Sequence, residues 1–243
     1  MRILEELSST RSMTDKIKPG DKVLTAQIAE KILSERHRPE ASNRPFLVGI
    51  DGIDCAGKTT LADELASVLK HRSVNTLRAS IDGFHQSSDL RYARGEFCPE
   101  GYYHDSFDYE LVKDVLLNPL KNWTASTEVR TSSFDFKTDS ATDKESSLAT
   151  ATEDTVLVFD GVFLFRKELV NCWDLKIFVD ITFDTSLKRA LKRDLELLGK
   201  EEVIVEKYQR RYFPGQRLYL DTCKPMELAD LIVENNGAIR ILS

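Results

Sequence analysis

Residues 46–66 read FLVGIDGIDCAGKTTLADELA, in which an apolar run ends at a glycine-rich turn and a helical pattern follows. Gly52, Gly57, Lys58 and Thr59 have the G-x-x-x-x-G-K-T spacing of a P-loop, a turn that binds nucleotide phosphates. The glycines let successive backbone N–H groups point at an anion, and the N-terminus of the next helix adds positive charge. A chance glycine-rich turn is the alternative, but the flanking strand and helix patterns favour a phosphate site.

The side chains of this loop suggest which nucleotide complex it binds. A P-loop lysine reaches the β- and γ-phosphates, and the threonine hydroxyl is a ligand for Mg²⁺. We therefore predict that ATP and Mg²⁺ are the cofactors and that eight loop residues bind the nucleotide: Gly52, Asp54, Cys55, Ala56, Gly57, Lys58, Thr59 and Thr60.

Charge and apolar pattern argue against several classes of protein. The net charge of −6, from 34 basic and 40 acidic residues, argues against a sequence-independent grip on nucleic acid. The sequence has no run of 18 apolar residues, so it predicts no membrane helix. Its start, MRILEELSSTRSMTDK, lacks the apolar central segment of a secretory signal. Four scattered cysteines favour a reducing cytoplasm. We expect a cytoplasmic protein with a small-molecule substrate and with neither nucleic acid nor a membrane as partner. The sequence does not decide between a monomer and a homo-oligomer.

Strand-like and helix-like segments alternate along the chain, which predicts an α/β fold. Apolar strand patterns occur at FLVGI, TLRASID, TVLVFDGVFLF, DLKIFVDI and DLIVEN. We expect a P-loop NTPase fold with a parallel sheet of about five strands flanked by helices. One helix is predicted from about Asp21 to Arg36, and another over DSFDYELVKDVLLNPL that stops at Pro119. Polar residues 137–154 predict a mobile loop or a hairpin.

The segment DTSLKRALKRDLELLG predicts a basic amphipathic helix that carries Arg189 and Arg193. On an acidic protein this local excess favours a lid that brings guanidinium groups to a transferring phosphate, although a solvated face is the alternative. We place the lid at about residues 186–217, because a glycine and a proline follow as in a hinged flap. The chain is divided into a helical extension packed on the core, residues 1–45, and a P-loop domain, residues 46–243.

Two acids follow apolar strand patterns, Asp82 after TLRASI and Asp160 after TVLVF. Carboxyl ends of parallel strands meet at one edge of a sheet, where the sites of α/β proteins form. Phosphoryl transfer to a hydroxyl needs a base and a metal partner, and one acid can serve in each role. A capped turn is the alternative for either residue.

The stretch RYARGEFCPEGYYHDSFDYE, residues 91–110, is rich in arginine, tyrosine and acids. This mixture suits a small polar compound with hydroxyl groups, and an exposed loop with an aromatic anchor is the alternative. Its acids, Glu100, Asp105 and Asp108, together with Asp82, favour a neutral acceptor over a phosphorylated one, although Arg91 and Arg94 offset that charge locally.

These pieces, in this order, resemble the uridine kinase-like and phosphoribulokinase-related branch of P-loop kinases. The resemblance runs from about Arg44 to Asn236 and includes GIDGIDCAGKTTLADELA, SIDGFH, DSFDYELV, VLVFDGVFLF, FVDITFDTSLKRALKRD and ADLIVEN. It implies an ATP-dependent phosphotransferase that acts on an alcohol group.

The resemblance also implies residue roles. Asp82 would be the catalytic base, Lys58 would hold phosphates, Arg189 and Arg193 would be lid arginines, and Thr59 with Asp160 would serve Mg²⁺. The set expected at the acceptor is Asp82, Phe84, His85, Arg91, Tyr102, Tyr103, Asp105 and Asp139.

Two departures affect the acceptor more than the ATP chemistry. Tyr102 lies near the place of an acid that grips ribose in nucleoside-phosphorylating relatives, and Asp139 lies where a histidine faces the base. Uridine or cytidine comes first by resemblance, with another ribosyl compound, a pantothenate-like compound or a sugar as alternatives. The competing class is an NTPase switch module, but the chain has no N-K-x-D signal for guanine.

Overall fold

The computed structural model describes residues 19–39, 41, 43–237 and 240–242. The strands, in chain order, are β1 (Phe46–Gly52), β2 (Thr76–Ser80), β3 (Thr127–Arg130), β4 (Phe134–Asp135), β5 (Ser140–Ala141), β6 (Leu148–Ala151), β7 (Val156–Asp160), β8 (Leu175–Asp180), β9 (Leu231–Glu234) and β10 (Arg240–Ile241). The helices are α1 (Pro19–Glu35), α2 (Lys58–His71), α3 (Ser88–Arg91), α4 (Pro99–Asp105), α5 (Tyr109–Val112), α6 (Asn118–Lys121), α7 (Phe183–Leu198), α8 (Glu201–Lys207), α9 (Phe213–Cys223) and α10 (Pro225–Leu228).

The central sheet has the strand order β10-β9-β8-β1-β7-β2. Five neighbouring strands are parallel, and β10 adds an antiparallel edge to β9. Every residue of β1 and β7 is buried, as the continuous apolar patterns predict for strands covered on both faces. The predicted α/β fold with about five parallel strands is therefore confirmed.

Two apolar layers cover the sheet, and the alternation of β1 divides its side chains between them. Phe46, Val48 and Ile50 pack with α1 and α2, while Leu47 packs with the aromatic layer on the other face. Gly49 lies on that second face, where an added Cβ would come within 2.6 Å of Trp173. The indole therefore fills the place of a side chain in the middle of the sheet.

The helix α1 packs against α2 in the apolar layer on one face of the sheet. Leu24, Ile28 and Ile32 are buried in the same apolar layer as Leu61 and Leu65 of α2. The division of the chain at residue 45 stays a proposal, and the segment before residue 19 lies outside the described residues.

The structure sets the bounds of three predicted segments. The helix expected to stop at Pro119 runs on to Lys121, because a π-helical turn precedes α6 and puts the proline at the start of a new turn, where its missing N–H is not needed. The strand expected to end near Asp82 ends two residues earlier, at Ser80, and Asp82 lies in the 3₁₀ turn that follows. Residues 137–154, predicted as a mobile loop or a hairpin, contain β5, a 3₁₀ turn and β6. The strand β5 forms an antiparallel hairpin with β4, and β6 pairs with the more distant β3.

The parallel strands bring three loops to one edge of the sheet. The phosphate loop follows β1, the turn with Asp82 follows β2, and Asp160 ends β7 between them, in register with Ile50 and Ser80. Among the described residues, no helix is both long enough and apolar enough to span a bilayer.

Candidate functional site

The phosphate loop, residues 52–59, has the backbone that an anion site requires. Gly57 has a φ of 96° and Gly52 has a φ of 152°, and a Cβ on Gly52 would lie 2.4 Å from the carbonyl oxygen of Val179. Both positions therefore favour glycine. The helix α2 begins at Lys58, whose Nζ donates to the carbonyl of Ile53 at 2.8 Å. The loop and the N-terminus of α2 can thus hold a polyphosphate.

Thr59 and Asp160 meet at the head of this loop. Thr59 Oγ1 donates to Asp160 Oδ2 at 2.7 Å, and Asp160 is 2% exposed. Arg78 of β2 holds the other oxygen, with its guanidinium 2.7 Å from Oδ1, and also pairs with Asp63 of α2 at 2.8 Å. In nucleotide complexes, the protein ligands of Mg²⁺ are typically a hydroxyl and a carboxylate beside the phosphate loop. Thr59 and Asp160 therefore fit that ion.

Other metal centres find little support in the part of the chain that the structure describes. Histidine, cysteine, aspartate and glutamate side chains do not gather in groups of three or more there that could hold a metal ion. A magnesium ion at Thr59 and Asp160 would take its remaining ligands from phosphates and water.

Asp82 lies across the cavity from the loop, beside His85. Nδ1–H of His85 donates to the backbone carbonyl of Asp82 at 2.9 Å. The carboxyl of Asp82 is accessible from the cavity, but the surrounding walls limit its hydration. This desolvation, with the charge of Asp160 adding to it, raises the pKa of Asp82 above its usual range. Burial also lowers the pKa of His85, which favours a neutral imidazole.

A cavity of about 470 Å³ joins these groups. Its residues come from the phosphate loop, the turns after β2 and β7, the segments predicted to meet an acceptor and the predicted lid. They are Asp54, Lys58, Thr59, Asp82, His85, Arg91, Tyr92, Tyr102, Ser106, Phe107, Phe136, Asp160, Gly161, Val162, Arg193, Asp194, Lys207, Tyr208, Arg211 and Tyr212.

The structure separates the two arginines that were predicted to act from the lid. Arg193 lines the cavity, where its Nε donates to Asp194 at 2.6 Å and its guanidinium contacts the hydroxyl of Tyr208 at 3.1 Å. Arg189 lies outside it and donates to the carbonyls of Cys55 and Asn235, at 3.1 and 2.6 Å. Arg189 therefore braces the outer side of the phosphate loop, while Arg193 faces the inside.

Cys55 and Ala56 contribute to the loop mainly through their backbone. The carbonyl of Ala56 accepts from Asn235 Nδ2 at 2.8 Å, and the thiol of Cys55 lies 3.7 Å from the hydroxyl of Tyr208. Thr60 is exposed at the start of α2 and does not line the cavity.

Arg91 is buried beside Phe136 at one side of the cavity. It is 7% exposed and pairs with Asp139 at 2.6 Å, and it lies 4.9 Å from the ring centre of Phe136. His85 lies between Phe136 and Phe107, with ring centres 4.7 and 4.5 Å away. This part of the cavity thus combines aromatic rings with a cation, and Asp139 orients that cation.

In addition to Asp139, three residues predicted to contact an acceptor do not line the cavity. Phe84, the last residue of the 3₁₀ turn after β2, is fully buried in the core and packs on Phe159. Tyr103 is buried between Phe163 and Arg166, on the side of α4 away from the cavity. Asp105 pairs with Arg94 at 2.6 Å outside it.

These positions remove one reason for expecting a neutral acceptor. Glu100, Asp105 and Asp108 do not line the cavity, whereas Arg91 and Arg211 do. The acidic character of residues 91–110 therefore belongs to the outside of the site.

Arg211 is a site residue that sequence reasoning missed. It is 2% exposed, and its guanidinium donates to the carbonyls of Arg91, Gly95, Glu96 and Cys98. The predicted lid and the loop of residues 91–98 are thereby joined. The only sequence signal was the pair of arginines in YQRRYFPG, which does not say which one turns inward.

Arg78 and Gln216 were also missed. Arg78 lies in a strand pattern in which a charged residue is expected to face solvent. Gln216 lies 162 residues from its partner Asp54. Neither contact has a local signature in the sequence.

Residues 47–241 match the phosphoribulokinase / uridine kinase family. The mouse protein named uridine-cytidine kinase-like 1 is 30% identical over 196 residues, which are 79% of this chain but 34% of that protein. This chain therefore spans about a third of the length of the mouse relative. Uridine-cytidine kinase B of Dictyostelium discoideum is 27% identical over 202 residues, which are 82% of this chain and 78% of that protein.

Solved structures share the fold at lower identity. A structure described as a possible uridine kinase from Bacillus stearothermophilus has a TM-score of 0.63 and 23% identity, covering 86% of this chain and 96% of its own. The D-glycerate 3-kinase from Cryptococcus neoformans var. grubii has a TM-score of 0.59 and 15% identity, covering 90% and 98%. The match of the family over most of the chain, together with the phosphate loop and the acids at the same sheet edge, identifies this chain as a member of the phosphoribulokinase / uridine kinase family.

Proposed function

We propose that this chain transfers the γ-phosphoryl group of ATP to a hydroxyl of a small molecule, with a nucleoside of the uridine or cytidine type as the first candidate. The observation that carries the proposal is the contact of Thr59 with Asp160 at 2.7 Å, at the head of a phosphate loop whose cavity also contains Asp82. Bound Mg²⁺ would neutralise charge on the phosphates.

The residues of the chain divide the chemistry between them. Lys58 and the loop N–H groups hold the β- and γ-phosphates, and Arg193 meets the charge that develops during transfer. Asp82 accepts the proton of the attacking hydroxyl while the new oxygen–phosphorus bond forms and the bond between the γ-phosphorus and the β-bridging oxygen breaks. Its raised pKa makes this carboxylate a stronger base than an ordinary aspartate.

The acceptor is proposed from the family and the cavity together. A nucleoside fits the aromatic wall of His85, Phe107 and Phe136. Another ribosyl compound, a pantothenate-like compound or a sugar is the alternative, and Arg91 extends the alternatives to acceptors with an anionic group. A switch module is the less favoured class, because the cavity has room and polar groups for a second substrate. The four free cysteines support the proposal of a reducing, cytoplasmic environment.

The test is an assay of ADP release across nucleosides, nicotinamide riboside, pantothenate, sugars and phosphorylated sugars. We expect at least one acceptor to raise ADP release well above the rate with ATP alone. Lys58→Ala should abolish that increase while the far-ultraviolet circular dichroism stays unchanged, since its charge acts on phosphate. A switch module would give the same rate with and without every acceptor, and normal turnover in Lys58→Ala would contradict the assignment of the loop.

A further inference from the structure

Asp54 brings a carboxylate into the phosphate loop and onto the wall of the cavity. A negative charge in a loop that binds polyphosphate opposes the ligand of that loop. Its presence therefore needs a reason other than the binding of ATP.

The contacts of Asp54 lead away from the phosphates. Gln216 of α9 bonds it twice, since the backbone N–H of Asp54 donates to Oε1 at 3.4 Å and Nε2 donates to Asp54 Oδ2 at 2.6 Å. The hydroxyl of Tyr102 on α4 donates to the same Oδ2 at 3.1 Å. Ser186 of α7 donates to the carbonyl of Asp54 at 2.7 Å. The backbone N–H of Asp54 therefore already has a partner in Gln216.

Both side-chain donors meet the carboxylate at one oxygen. Among the residues that the structure describes, Asp54 Oδ1 receives no hydrogen bond, while Oδ2 receives two. The carboxylate is thus held in one orientation with one oxygen left for a ligand. Its charge also contributes to the raised pKa of Asp82, after burial and the charge of Asp160, so the two carboxylates act within one cavity.

We propose that Asp54 determines acceptor specificity, with Oδ1 accepting a hydrogen bond from a second hydroxyl of the acceptor while Asp82 faces the hydroxyl that is phosphorylated. The acceptor is then a compound with at least two hydroxyl groups, such as a ribosyl compound or a sugar, and carries no phosphate on the side that meets Asp54. Any anionic group of the acceptor would lie toward Arg91 instead. This inference rests on the proposed kinase function.

The first experiment asks whether Asp54 serves ATP. Binding of AMP-PNP with Mg²⁺ is measured by titration calorimetry for the wild type, for Asp54→Asn, and for the control Asp89→Asn, which removes an exposed charge on α3 outside the cavity. We expect Asp54→Asn to bind AMP-PNP as tightly as the wild type or a few-fold more tightly, because a repulsive charge is lost. A tenfold weaker affinity, absent from Asp89→Asn, assigns Asp54 to ATP and overturns the proposal.

The second experiment asks whether Asp54 reads a hydroxyl. Each acceptor that the wild type phosphorylates is compared with analogues that lack one hydroxyl. Loss of a hydrogen bond to a charged group predicts that Asp54→Asn raises the KM of the full acceptor about 10- to 100-fold, with kcat changed far less. One hydroxyl-deleted analogue should have nearly the same KM with both proteins, since it has already lost that bond. An equal rise of KM for the full acceptor and for every analogue would mean that Asp54 only supports the loop.

Failure of the kinase function gives a different pattern. In that case no acceptor raises ADP release by the wild type. The calorimetric comparison then decides alone whether Asp54 contributes to nucleotide binding. AMP-PNP affinity that is kept in Asp54→Asn agrees with a carboxylate directed away from the nucleotide, and lost affinity refutes it.

Discussion

Asp51 is a fully buried carboxyl at the end of β1, directly before the phosphate loop, and it makes the stability of the protein depend on pH. Its Oδ1 accepts from the N–H of Gly52 at 2.6 Å, and its Oδ2 accepts from the N–H of Phe165 at 3.1 Å and from the hydroxyl of Tyr219. Burial raises its pKa to about 6, although these hydrogen bonds and the charge of Lys58 oppose the rise.

The sign of the effect follows from this direction. The folded protein holds the proton of Asp51 more tightly than the unfolded chain, whose pKa is the ordinary 3.8. The stabilisation of the folded state by this proton is therefore fully present below pH 3.8 and is lost as the pH rises through 6. A difference of about two pKa units corresponds to about 3 kcal/mol, and about two-thirds of this falls between pH 4.5 and 7.5.

The perturbation is Asp51→Asn, which does not titrate. The free energy of unfolding is measured in urea at several pH values from 4.5 to 7.5, with the fluorescence of Trp123 and Trp173 as the probe. Other groups titrate equally in both proteins, so the difference between wild type and variant isolates Asp51. We expect this difference to fall by about 2 kcal/mol as the pH rises over that range. Tyr219→Phe, which removes a hydrogen bond to the carboxylate, should enlarge the loss. A difference that stays constant with pH would refute the reasoning.

Three further predictions concern the cavity. Asp82→Asn should lower kcat by roughly 100-fold or more with ATP binding kept, and kcat of the wild type should fall as the pH decreases through the raised pKa of Asp82; full activity of the variant would exclude it as the base. Arg193→Ala should lower kcat more than it lowers the affinity for ATP. Arg189 lies outside the cavity, so Arg189→Ala should instead weaken nucleotide binding, measured by calorimetry, because the phosphate loop loses a support. The opposite pattern would reverse the two roles. Arg78→Met should destabilise the protein by about 3 kcal/mol in urea unfolding, since it leaves Asp160 buried and unpaired, and a loss as small as that of a surface substitution would contradict the ion pair.

The fold was predictable because its signals are local. The apolar runs of β1, β7 and β8 are continuous, as strands covered on both faces require, and Gly52 and Gly57 mark a turn that other residues adopt at a cost. The order of strands and helices then fixes which strand ends share one edge.

The inner surface of the site was less predictable because it depends on contacts distant in sequence. Tyr102 and Tyr103 are neighbours in the sequence, yet one reaches Asp54 in the cavity and the other packs on Phe163 in the core. Arg189 and Arg193 share a helix face, yet Arg189 is bonded by the backbone of the adjacent phosphate loop and of the segment after β9 and, among the described residues, Arg193 is not. Neither difference is visible before the helices are docked, since helical spacing gives a face and not its neighbours.

Arg211 joins the lid to the loop of residues 91–98 through four carbonyls, while no described carboxylate pairs with its charge. Separating these segments would leave a buried cation without partners, so we expect them to move as one body. A nucleotide that draws in the proposed lid would then also move Arg91 and Tyr92 of that loop, which line the cavity. Linkage requires the reverse as well: an acceptor must tighten ATP binding by the same factor by which ATP tightens acceptor binding.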